Sequence, residues 1–270
     1  MVVDELDTAP PPPAPGFTSS LGYPLRGARL VFLERPALAR YWLPPILITA
    51  AALVALGYLT WTSGPQWAEA IWSSPDTVVA RFFHGLLRWV LMLLIFGVGV
   101  VVAALLGNVV AAPFNDALSQ AVERELGHGE GPPPSLRAMV TDLRRTVQLE
   151  LRKLGIYLLV MVPAGLASLA LPGIGPPIYS VLGFLFTVAF LALDYVDWPA
   201  ARRGVPVRRR LGMLASRPAA MFGFGLSVWV CMWVPLLNLA FMPAAVAGGT
   251  MLYLDLQASD ASSEESDTQD

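Results

Sequence analysis

Residues 89–112 form a run of 24 without one ionisable side chain, WVLMLLIFGVGVVVAALLGNVVAA. At 1.5 Å per residue a helix of this length reaches about 36 Å, against a hydrocarbon core about 30 Å thick. A second run, Tyr41 to Thr60, adds 20 apolar-dominated residues, or about 30 Å. Only 14% of the chain is charged, where a soluble domain carries about 25%. That deficit rules out a water-facing surface around a single core. The lipid bilayer is therefore the first expected partner.

The later apolar stretches are interrupted. Leu154 to Leu171 contains Pro163, and PGIGPP (172–177) separates it from Ile178 to Val196. Ala219 to Val234 is 16 residues long and meets PLLN (235–238). Leu239 to Leu254 follows, with Pro243 and the pair Gly248 and Gly249. Broken helices survive in lipid only where they are buried or line a cavity, so such segments point to a transport site. Two ordinary transmembrane pairs with tight turns fit the pattern equally. The expected fold is an all-α integral membrane protein. It has two long transmembrane helices, two Pro/Gly-broken helical hairpins (full or half-penetrating) and cytoplasmic amphipathic helices.

MVVDELDTAPPPPAPG is acidic and proline-rich, the opposite of a cleavable leader. Residues 1–20 are expected to be a disordered tail, 21–254 one polytopic membrane domain, and 255–270 a disordered acidic tail. Cys231 is the only cysteine, so neither an intramolecular disulfide nor a cysteine metal cluster is expected.

Charge placement sets the topology. Sixteen of the 18 basic residues precede the first run, follow the second, or lie between the hairpins. Only Arg81 and Arg88 fall in the loop after the first run, beside Trp61, Trp67 and Trp72. By the positive-inside rule both termini are cytoplasmic, with the tryptophans at the outer interface.

At Pro113 the second run meets a polar corner. Asn115 or Asp116 is suited to cap a new helix, along which Phe114, Leu118, Ala121, Val122 and Leu126 recur at spacings of three and four. Asp116, Gln120, Glu123 and Arg124 fall elsewhere on its wheel, as on a membrane-surface helix. Gly127, Gly129, Gly131 and PPP (132–134) end it. A second amphipathic helix is expected from Ser135, with a stripe of Leu136, Met139, Val140, Leu143, Val147, Leu151 and Leu154. Its Arg137, Arg144, Arg145 and Arg152 either face headgroups or draw anions towards a pore mouth.

AAPFNDALSQAVERELG resembles the signature of the CysZ-like sulfate permease family, which also includes the etoposide-induced membrane proteins of eukaryotes. RGARLVFLERPALARYWLPPILIT (26–49), DYVDWPAARRG (194–204) and FGFGLSVWVCMWVPLLNLAFMPAAVAGGTML (222–252) are similar to other family segments, in the same order. The resemblance implies a bacterial inner-membrane sulfate permease or channel that is a homo-oligomer and feeds sulfur assimilation. It implies an anion site where the basic N-terminal segment enters the first helix: Arg35 and Arg40, with Arg26 and Arg29 nearby. Ala37 and Glu34 depart from the pattern there, one in place of a glycine, the other with a charge that opposes an anion.

Sulfate is a hydrated dianion, so its path needs guanidinium groups or aligned N–H donors. No basic residue lies inside an expected span. Selectivity then falls to the helix ends at Pro113 and Pro235 and to Asn108, Asn115 and Asn238. Ordinary roles compete: a cap for Asn115, a turn for Asn238. The absence of G-x-x-x-x-G-K points to passive transport without a cofactor. The alternative is a non-transporting scaffold that binds partners through its basic helices. An enzyme is not expected, because His84 and His128 lack a Ser, Cys or carboxylate partner at recognisable spacing. Asp194 and Asp197, beside Tyr195 and Trp198, read as acids at headgroup depth. Neither a metal nor nucleic acid is an expected partner.

Overall fold

The computed structural model describes residues 14–73, 77–128, 136–233 and 235–269. The side chains of 104, 105, 108, 109, 136–146, 235–240 and 263–269 fall outside that description. The expected tail over residues 1–13, the glycines at 129 and 131, and PPP lie outside the described residues too. Every regular element among the described residues is helical. In order they are α1 (Phe17–Leu21), α2 (Tyr23–Ala28), a π-helical turn (Arg29–Glu34), a 3-10 turn (Pro36–Leu38), α3 (Ala39–Ile71), α4 (Val78–Glu125), α5 (Leu136–Ala170), α6 (Gly175–Arg202), α7 (Val207–Ser216), α8 (Pro218–Met232) and α9 (Pro235–Gln269). Among the described residues four stretches are long and apolar enough to cross a bilayer, Pro36–Ile71, Val78–Ala103, Val147–Ala170 and Gly175–Arg202, or five if the bent pair Val207–Ser216 and Pro218–Met232 forms one span.

The first hairpin turns where the sequence places its tip. Between α5 and α6, Gly173 adopts φ +103°, a conformation costly for any residue with a Cβ. The second arrangement is sharper: α7 and α8 meet at 94°. At 15 residues, α8 reaches only about 22 Å, short of a full crossing by itself.

Proline did not break the helices at the expected place. Pro113 lies inside α4, so no new helix starts at Asn115 or Asp116. Pro163 likewise lies inside α5, which joins the second amphipathic segment to the apolar one. A proline removes one backbone donor, and neighbouring groups in an embedded helix re-satisfy the freed carbonyl. The residues after 254 continue α9 to Gln269.

The chain packs as two compact units. One is formed by residues 39–115, the other by the segments before and after them. In residues 39–115, α3 and α4 run antiparallel. Met92 lies over Gly64, Leu56 over Gly99, and the Trp72 and His84 rings meet edge to face at 5.9 Å. The outward faces carry Val54, Tyr58, Trp89 and Leu93, all exposed, as expected of helices solvated by lipid.

In the other unit, α6, α8 and α9 build the core. Val188, Ala192, Val196 and Ala200 recur every fourth residue on one face of α6 and are fully buried. Phe224 and Val228 of α8 and Ala244, Ala245 and Leu252 of α9 pack with them. Glycines bring the backbones together, as small residues do in membrane bundles. Gly27 of α2 faces Gly248 of α9, Gly225 of α8 faces Val188, and Gly223 of α8 faces Phe17.

Candidate functional site

The arginines named from the sequence each take a separate partner. The Arg26 guanidinium sits 4.9 Å from the centre of the Tyr23 ring. Arg29 Nε pairs with Glu34 at 2.7 Å, and Arg35 Nε with Glu125 at 2.9 Å. In the unit of residues 39–115, Arg40 lies 4.7 Å over the Tyr41 ring. Arg35 follows the π-helical turn with an extended φ of −131° and donates its N–H to the Leu30 carbonyl at 2.8 Å. Asn115 is buried in α4. Asn238 belongs to α9, and its side chain lies outside the described residues, as does that of Asn108.

The densest polar cluster joins α4, α6 and α9. Asp116, Ser119 and Glu123 are three and four residues apart, so they share one face of α4. Arg202, near the end of α6, donates to all three: to Asp116 Oδ1, to Ser119 Oγ at 3.0 Å and to Glu123 Oε1 at 2.8 Å. Arg203 reaches both Glu123 oxygens, at 3.0 and 3.3 Å, and its guanidinium lies 5.5 Å over the Tyr253 ring. Ser119 Oγ also meets Thr250 Oγ1 of α9 at 2.8 Å. Glu123 is 1% exposed and Ser119 not at all. Two guanidiniums thus balance two carboxylates, with Glu123 and Arg202 buried and Asp116 and Arg203 at a partly exposed rim. Low dielectric strengthens these bonds and makes any single loss costly.

Two further charge pairs brace the same unit. Arg210, fully buried on α7, directs Nε and one terminal nitrogen at the two oxygens of Asp197. Lys153 of α5 contacts Asp194 and lies 2.7 Å from Glu150. Helices α2 and α9 are tied as well: Tyr23, 3% exposed, donates its hydroxyl to Asp255. Burial foremost, then the hydrogen bond and charge of Asp255, push the Tyr23 hydroxyl well above the usual tyrosine range. It therefore stays protonated in the folded protein, and the stability it confers is full below the ordinary tyrosine pKa and is lost as pH rises from there through the elevated one. Changing Tyr23 to Phe removes one charge-assisted bond. It lowers stability by about 1–2 kcal/mol, since exposed Asp255 regains water, measured by thermal unfolding in detergent.

The wheel separated Glu123 and Asp116 correctly from the apolar stripe but suggested contact with water. Their partners lie about 80 residues away in the ARR of DYVDWPAARRG, and one sequence carries no signal pairing the two motifs. Both motifs resemble family segments, and that likeness is the available clue.

The chain matches the family described as "Sulfate transporter CysZ/Etoposide-induced protein 2.4" over residues 23–243. It is 32% identical over 255 residues to the "Sulfate transporter CysZ" of Pseudomonas syringae pv. tomato, an alignment covering 92% of this chain and 96% of the relative. Against the protein of the same name from Salmonella typhimurium the identity is 30% over 245 residues, 88% of this chain and 92% of the other. The Pseudomonas aeruginosa protein gives 30% over 233 residues, 84% and 92%. This chain is a multi-pass membrane protein of the Sulfate transporter CysZ/Etoposide-induced protein 2.4 family.

Proposed function

We propose that the protein is a sulfate permease of the bacterial inner membrane that supplies sulfur assimilation. The observation that carries this is the near full-length similarity to proteins named as sulfate transporters, on a chain with four bilayer-length apolar helices. Nothing in the fold or the relatives favours the scaffold alternative. Sulfate moves down its own gradient, the protein acts as a homo-oligomer and performs no chemistry, and both termini face the cytoplasm. The segregation of sixteen basic residues from Arg81 and Arg88 supports that orientation.

Arg35 and Arg40, with Arg26 and Arg29, receive the anion. Asn115 and Asn238 offer amide donors along its path. Planar guanidiniums suit a tetrahedral oxyanion because they present paired donors. Glu34 and Glu125 hold Arg29 and Arg35 meanwhile, and arriving sulfate takes their place. Proteoliposomes containing the protein should take up radiolabelled sulfate. Changing Arg35 and Arg40 together to alanine should lower the initial rate about tenfold or more, given that a hydrogen bond to a charged group contributes about 1.5–3 kcal/mol. An unchanged rate in the double variant would remove these arginines from the path. No uptake by well-folded wild-type protein would remove the function.

A further inference from the structure

We propose that Arg208 and Arg209 bind the phosphate group of an anionic phospholipid and thereby seat α7 on the membrane surface. The argument starts from the helix itself. Val207, Leu211, Met213 and Leu214 turn towards the core of their unit, whereas Arg208, Arg209 and Gly212 are exposed. The two faces make α7 amphipathic, with its basic residues together at one end. Its 94° angle to α8 sets its orientation. PAAMFGFGLSVWVCM, the sequence of α8, holds no charged residue. When α8 points into lipid, α7 lies along the headgroup layer.

Rotation about the α7 axis is fixed from inside. Arg210 is fully buried on Asp197, and successive helical residues are about 100° apart. Arg208 and Arg209 are therefore held away from that contact. Other carboxylates of the unit are already engaged: Asp197 by Arg210, Asp194 by Lys153, Asp116 and Glu123 by Arg202 and Arg203, and Asp260 by Arg217. Among the described residues, Arg208 and Arg209 pair with no carboxylate. With Pro206 they line a recess of about 370 Å³. The recess is shallow and open, so a headgroup phosphate can reach both guanidiniums.

Charge, shape and depth point to the same ligand. Two guanidiniums side by side offer forked donors to a phosphate. A phosphate held in the bilayer is presented at high effective concentration, unlike a free ion. The site is separate from the arginines assigned to sulfate and does not depend on the cargo.

The test uses the full chain in nanodiscs of mixed phosphatidylcholine and phosphatidylglycerol, with retained lipids counted by native mass spectrometry. Wild-type protein should keep phosphatidylglycerol in preference to phosphatidylcholine. R208Q/R209Q should reduce that retention by about tenfold or more with an unchanged melting temperature. R217Q, altering another basic residue of the same segment, should retain lipid like the wild type. Equal retention of the two lipids, or full retention by R208Q/R209Q, overturns the proposal. Displacement of phosphatidylglycerol by millimolar free sulfate or phosphate also overturns it, and assigns the recess to a soluble oxyanion.

Discussion

Changing Glu123 to Gln should destabilise the protein by about 3–5 kcal/mol, the range seen when one partner of a buried ion pair is removed. The glutamine keeps the shape and one acceptor oxygen but not the charge. Arg202, with a side chain 7% exposed, then keeps only Asp116 as a charged partner. Arg203 loses both of its charge-assisted bonds to Glu123. Its side chain is 33% exposed, however, and rests on Tyr253. Arg203→Gln alone should therefore cost about 1 kcal/mol. The double variant should recover part of the loss, because it removes the uncompensated charge together with its partner. Thermal unfolding of the four proteins in one detergent measures the coupling. Strict additivity would mean that water screens this corner and that the cluster is no dry network.

Gly27→Ala should also be strongly destabilising, against the direction of helix propensity. Alanine is favoured over glycine inside a helix by about 1 kcal/mol. Here a Cβ would lie 2.2 Å from the Ala244 carbonyl oxygen and 2.5 Å from the Gly248 nitrogen. Both are backbone atoms of α9, so no rotamer change relieves the contact. The two helices must separate, loosening the buried Tyr23 on the same face. Overpacking of this kind costs about 3 kcal/mol or more, so a net loss of about 2 kcal/mol is the least expected. Gly248→Ala, with its Cβ 2.5 Å from the Tyr23 carbonyl, should behave alike. Gly212→Ala is the control, since no atom lies within 4 Å of its added Cβ; it should be neutral or slightly stabilising. Yield of monodisperse protein and its melting temperature separate these outcomes.

What could be read from the sequence was set by the range of the physics involved. The runs ending in α3 and α4 are long enough to span lipid whatever surrounds them, and Gly173 marks its turn by local backbone preference. Pro113 misled because the loss of a single donor is local, whereas the continuation of α4 depends on its surroundings. Glu123 misled for a related reason. Its polarity belongs to the residue, but its burial depends on Arg202 and Arg203, about 80 positions on. The lock between Arg210 and Asp197 was hidden in the same way, for RRR reads as a uniform basic loop until one arginine is found inside. Arg26, Arg29, Arg35 and Arg40 came from likeness to a family segment, and their partners Glu34, Glu125, Tyr23 and Tyr41 could not be assigned from it.

The seam between α2 and α9 governs how the protein is made. Tyr23 and Gly27 are translated more than 200 residues before their partners Ala244, Gly248 and Asp255. The α2 segment must wait for its α9 partners until that long intervening stretch has been made. Stalled polypeptides lacking α9 should expose that segment to quality-control proteases, so this seam closes only once α9 has been made.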